Sequence, residues 1–183
     1  MKESGHKLDH ELTPDEGEIQ MFGHPTGLSY LFFAELWERF SFYGMRALLV
    51  LYLINDLFEN LANGTEVAYE IYAAYGSLVY FTPALGGMIA DRLFGHKNSI
   101  VLGAILMTLG HFVMAFEEEY IFYIALGLLI MGNGFFKPNI STMVGGLYKQ
   151  GDVRRDAGFT IFYLGINVGA FIAPLICGWL GTS

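Results

Sequence analysis

Residues 28–54 read LSYLFFAELWERFSFYGMRALLVLYLI, an apolar run that nevertheless carries Glu35, Glu38, Arg39 and Arg46. About 20 mostly apolar residues of helix cross a hydrocarbon core, and a helix satisfies its own backbone amides there. A charge near the bilayer centre costs at least ~2.5 to 3.5 kcal/mol on insertion scales, so it faces a protein interior or a wet cavity and takes a partner. At about 100° per residue, Arg39 lies roughly 40°, Glu38 roughly −60° and Arg46 roughly 20° from Glu35. The four form one charged stripe, while Leu36, Trp37 and Gly44 point elsewhere.

Working outward, similar apolar blocks cover about 68–90, 99–116, 120–144 and 158–180, separated by short polar connectors. With 54% apolar and 16% aromatic residues among 183, the expected fold class is an all-α membrane protein of five transmembrane helices. The formal charge of −8 gathers in an acidic tail and in loops, and no basic patch calls for a nucleic acid. Residues 1–27 lack a basic-then-apolar leader and are expected to be a flexible acidic tail. Lys2 and Lys7, then Arg92 and Lys97, then Lys149, Arg154 and Arg155 fall on alternate connectors, which predicts a cytoplasmic amino terminus. Five spans leave 181–183 outside, and the chain reads as interrupted there.

Lys137 is a further charge inside a span, and Pro138 after it removes a backbone donor and predicts a bend. Glu35, Glu38, Arg39 and Lys137 can be read as a neutralising lock between the first and fourth spans. Buried pairs are often no more stabilising than apolar packing, so the functional reading is preferred. Arg46, nearer its helix end, fits either the stripe or a snorkelling role. His111 in the third span is expected to be a neutral, hydrogen-bonded histidine rather than a proton relay. His6, His10 and His24 lack ligand spacing, Cys177 has no cysteine partner, and no metal or cofactor site is expected. GNGFFKPN at 132–139 lacks the ending of a phosphate loop. No nucleophile constellation points to an enzyme.

Glu35-Leu36-Trp37-Glu38-Arg39-Phe40-Ser41-Phe42-Tyr43-Gly44 resembles the ExxERFxYYG motif of the proton-dependent oligopeptide transporter family, within the major facilitator superfamily. GGMIADRLFG at 86–95, GNGFFKPN at 132–139 and FYLGINVG at 162–169 are similar to the family's segments, in the same order. The resemblance runs from about Gly23 onward. It implies five of the six helices of an amino-terminal major facilitator bundle in the cell (inner) membrane, with the remainder of the transporter as the missing partner. It also implies that Arg39 and Lys137 attract a peptide carboxylate, that Glu35 and Glu38 join them in proton coupling, and that Asn167 holds the peptide amino end. Tyr43, Tyr80 and Arg46 match pocket residues. Phe42 replaces a tyrosine of the motif, and Ala73 stands where animal relatives carry a histidine, which implies a bacterial-type arrangement.

Asp91, Arg92 and Gly95 form a loop motif expected to gate rocking between halves, with Asp91 stabilising the start of the next helix, or else simply to cap the loop. The implied function is symport of protons with di- and tripeptides. Alternatives are a relative moving nitrate or another small anion, and a non-transporting membrane interaction fragment.

Overall fold

The structure is a computed structural model and describes residues 20–116 and 118–181. Residues 1–19 of the acidic tail, with His6 and His10, lie outside the described residues. The remainder of that segment is ordered differently from expectation. Gln20–Met21 (β1) and His24–Pro25 (β2) pair antiparallel. Phe22 and Gly23 between them have φ of 53° and 79°, the positive values a two-residue hairpin turn requires. His24 Nδ1 is hydrogen-bonded to the Tyr148 hydroxyl at 2.9 Å, and Arg154 Nη1 donates to the Gly23 carbonyl at 3.1 Å. The hairpin therefore rests on the connector between the last two helices.

Among the described residues five α-helices follow: α1 Thr26–Tyr52, α2 Gly64–Ile89, α3 Gly95–Val113, α4 Glu119–Gly146 and α5 Arg155–Gly181. They match the five apolar blocks to within about four residues at each end. The connectors differ more. Leu53–Leu57 extends α1 as a π-helical turn, and Ala90–Phe94 does the same for α2. The π-helical turn of α2 abuts α3 with no linker between them, so among the described residues four helical stretches are long and apolar enough to cross a membrane, the one from Gly64 to Val113 holding both α2 and α3.

The contacts show that α2 and α3 nonetheless run in opposite directions. Thr82 Oγ1 donates to the Ile130 carbonyl, and Gly87 faces Pro138, so α2 lies parallel to α4. His96 bonds Asn139 at 2.8 Å, while Gly110 faces Leu129, so α3 lies antiparallel to it. The reversal falls at Gly95, with φ 72° and ψ 159°, a backbone state reserved almost entirely for glycine. By the same reading α1 is antiparallel to α4, through the Tyr52–Phe122 and Glu38–Asn133 contacts. Gly165, Gly169 and Gly181 on α5 meet Phe32, Leu36 and Leu48 in parallel register. Each helix alternates in direction with the one before it, as a multi-pass membrane protein requires.

Glycines set how closely these helices approach. A Cβ added at Gly86 would lie 2.0 Å from the Gly134 carbonyl oxygen. That carbonyl is the one left without a helical donor by Pro138, four residues on. α4 stays continuous through Pro138.

Two apolar clusters form the interior. One contains Phe42, Leu49, Leu53, Val79 and Phe122, and the other contains Leu28, Leu31, Ile140, Val144 and Phe162. Glu35, Glu38 and Arg39 occupy the part of α1 between Leu31 and Phe42, where the two clusters meet.

Candidate functional site

The α1 stripe faces inward. Glu35, Glu38 and Arg39 are 2%, 9% and 4% exposed, whereas Trp37 is 63% exposed. Arg39 Nε lies 3.2 Å from Glu35 Oε1 and also donates to Glu38 Oε2. The guanidinium is thus held by both carboxylates, one helical turn apart and side by side. Glu35 Oε2 and Arg39 Nη2 are buried without a protein hydrogen-bond partner. Unpaired charged donors and acceptors are costly inside a fold, and here they leave capacity for a further polar group.

The sequence Gly132-Asn133-Gly134 explains how a second helix reaches this site. Gly132 packs on Gly103 and Met107 of α3, and Gly134 packs on Thr82 of α2. Asn133, between them and 2% exposed, points to α1, where its Nδ2 donates to Glu38 Oε1 at 3.1 Å. The two glycines let three helices close around one amide. Sequence reasoning missed Asn133, although its spacing of four residues from Lys137 puts both on one helix face.

Lys137 is half-buried and packs on an aromatic ring. Its Nζ stands 5.2 Å from the centre of the Tyr80 ring, a cation–π contact. Among the described residues, the ion pairs of both glutamates are with Arg39.

Arg46 joins α1 to α2 rather than reaching away from the bundle. It donates a hydrogen bond to the Tyr72 hydroxyl, and its guanidinium lies 5.0 Å from the Tyr72 ring centre. Phe42, the departure from the motif, is buried beneath the two arginines, 5.1 Å from Arg39 and 6.0 Å from Arg46. Tyr43 packs edge-on against that ring. Tyr72 was also missed, because tyrosine in an apolar block carries no charge signal.

Asn167 lies on an exposed face of α5, where it borders an open concavity with Val168 and Phe171. The structure does not bring it against the α1 and α4 charges. Asp91 and Arg92 are exposed in the π-helical turn. The expectation that Asp91 starts α3 is corrected: the first turn of α3 has no acidic residue, and Asp91 instead faces His96 at 3.8 Å. The extra π turn moves the carboxylate back from the helix start. His111 ties two helices together by its hydrogen bond with Ser41 of α1, a bond that fits either of the two roles read from the sequence.

The model of the POT family matches residues 97–183. The chain is 51% identical over 166 residues to the "Uncharacterized transporter YclF" of Bacillus subtilis (strain 168), covering 88% of this chain and 33% of that protein. It is 51% identical over 171 residues to the "Di-/tripeptide transporter" of Lactococcus lactis subsp. lactis (strain IL1403), covering 91% and 34%. A solved structure of a peptide transporter POT in complex with sulfate superposes with a TM-score of 0.83 at 46% identity, covering 90% of this chain and 34% of that one. The chain spans about a third of the length of the curated relatives it matches. Sequence and fold agree in their likeness: the chain matches the POT family's model over residues 97–183 and is similar to its peptide transporters in both sequence and fold.

Proposed function

We propose that this chain supplies the proton-coupling half of a symporter that moves di- and tripeptides with protons across the cell membrane, its amino terminus on the cytoplasmic side. The observation that carries the reading is Arg39, buried between Glu35 and Glu38 with one guanidinium nitrogen unpartnered. While both carboxylates are ionised they hold the guanidinium. Protonation of either one weakens that grip and releases Arg39 toward a peptide carboxylate, to which a planar guanidinium is well matched. Lys137, half-buried and stacked on Tyr80, adds a second cation. Proton and peptide then favour each other's binding, and each co-transported proton contributes ~2.3 kcal/mol per 100 mV to uptake of a neutral zwitterion.

Asn167 on α5 would meet the peptide amino end across the cavity closed by the rest of the transporter, and the Asp91, Arg92 and Gly95 turn would move with the rocking of the bundle. The similarity to the Lactococcus di-/tripeptide transporter supports di- and tripeptides over nitrate or another small anion. Proton flow, rather than a bound cofactor, is the energy source in this reading, and the chemistry is transport rather than catalysis.

The test is Glu38→Gln in the intact transporter that contains this chain. Loss of proton-driven dipeptide uptake with retained peptide counterflow is expected. Unchanged proton-driven uptake would remove the assignment.

A further inference from the structure

A cavity of about 310 Å³ lies beside the buried charges, lined by Glu38, Ser41, His111 and Asn133 along with apolar side chains such as Met45 and Met107. Glu35, Arg39 and Lys137 do not line it. Glu38 therefore spans two environments: Oε2 takes the Arg39 donor, and Oε1 is turned to Asn133. On α3, His111 hydrogen-bonds the Ser41 hydroxyl, which stands one helical turn beyond Glu38 on α1. Asn133 Oδ1 is buried and without a protein partner. The titratable groups lining the cavity are Glu38 from α1, Tyr75 from α2 and His111 from α3, and α4 contributes Asn133 without a charge.

A proton cannot reach Glu38 through Arg39. Guanidinium has five donors, no acceptor and a permanent charge, so it neither relays a proton nor tolerates one approaching. The other side has what a relay needs. A water occupies about 30 Å³ and needs two to four polar partners, so the cavity has room for several near the Ser41 hydroxyl, the Asn133 carbonyl and the Glu38 carboxylate.

We propose that the cavity between α1, α3 and α4 is a second proton site, in which His111 receives the proton and passes it by way of Ser41 and water to Glu38. The imidazolium gives one proton to the hydrogen-bonded chain and becomes neutral imidazole, and the carboxylate accepts one at Oε1 and becomes a neutral acid. Arg39 is then held by Glu35 alone. The inference rests on the symport reading and adds to it a donor on the face of Glu38 turned from Arg39.

The experiment compares wild type, His111→Gln and Glu38→Gln in the intact transporter. Glutamine can keep a hydrogen bond to Ser41 but cannot carry the proton. Proton-driven uptake by H111Q is expected to fall about 100-fold, the lower end for a positioned proton-transfer group, and to change its dependence on pH, with peptide counterflow retained. An unchanged rate and pH profile would overturn the proposal. Equal loss of uptake and counterflow in folded H111Q would overturn it too, since that marks a packing role. Should H111Q fail to fold, the imidazole ¹⁵N titration of His111 is read in wild type and E38Q. A midpoint that moves when Glu38 is neutralised supports the relay, and an identical midpoint rejects it. Failure of the underlying symport reading is separately visible, as proton-driven uptake that survives E38Q.

Discussion

Asn133 on α4 donates to Glu38 Oε1 on α1 at 3.1 Å, at a point where Asn133 is 2% exposed and the other Glu38 oxygen is held by Arg39. The amide shares a carboxylate with a guanidinium. Replacing Asn133 by Ala leaves a buried carboxylate oxygen without its donor. A hydrogen bond to a charged group is worth ~1.5 to 3 kcal/mol, and that loss of stability is expected in N133A. Reversible unfolding in detergent measures it, and a change below about 0.5 kcal/mol, the usual scatter of surface substitutions, would show that the bond does not matter.

Helix spacing makes a paired prediction. At Gly86 an added methyl meets the Gly134 backbone at 2.0 Å, so Gly86→Ala must push α2 away from α4 and is expected to cost ~1 to 3 kcal/mol. At Gly76 nothing lies within 4 Å, so Gly76→Ala is expected to be neutral or to stabilise by up to ~1 kcal/mol through helix propensity. Thermal unfolding of the two variants side by side checks the sign of each.

Gly95 isolates a backbone effect. No atom lies within 4 Å of its missing Cβ, yet its φ of 72° and ψ of 159° suit glycine alone. Gly95→Ala is expected to destabilise by ~1 to 3 kcal/mol with no steric clash to relieve. A variant as stable as wild type would mean that the α2–α3 reversal adapts at no cost.

The amino-terminal hairpin carries a pH prediction. Arg154 donates hydrogen bonds to Asp152 from its side chain and its backbone, which holds the Asp152 carboxyl below its ordinary 3.8. A carboxyl depressed in the folded state stabilises above its unfolded pKa and loses that contribution as pH falls through the depressed folded value. Docking of residues 20–25 through Arg154 and Tyr148 is therefore expected to loosen below pH ~4, measured by amide exchange. Arg154→Ala should return the Asp152 midpoint toward its ordinary value and speed exchange at Met21 and Gly23 at neutral pH. Unaltered exchange would separate the hairpin from this pair.

Charged residues in apolar blocks were the most legible part of the sequence, because burial of Glu35, Glu38 and Arg39 has few physical solutions. Helix periodicity placed them on one face, and the structure buries that face. The site partners that escaped notice are uncharged. Asn133 and Tyr72 act by hydrogen bonds whose geometry depends on how α2 and α4 meet α1, and a single chain does not reveal that register. The cation–π contact of Lys137 with Tyr80 was not legible either, because charge counting ignores it. The hairpin at residues 20–25 depends on positive φ at Phe22, an uncommon state for that residue. The turn after α2 was read as a polar break, whereas π-helical bonding keeps its backbone satisfied and shifts Asp91 away from α3.

The central claim is that a glutamate must take up a proton before Arg39 is free to hold a peptide carboxylate. Proton uptake on dipeptide addition to the purified intact transporter, followed with a pH indicator in weakly buffered solution near neutrality, tests it most directly. Net proton uptake that accompanies peptide binding, and that diminishes in Glu38→Gln, is the predicted result. Saturating peptide binding with no proton uptake in wild type would contradict it.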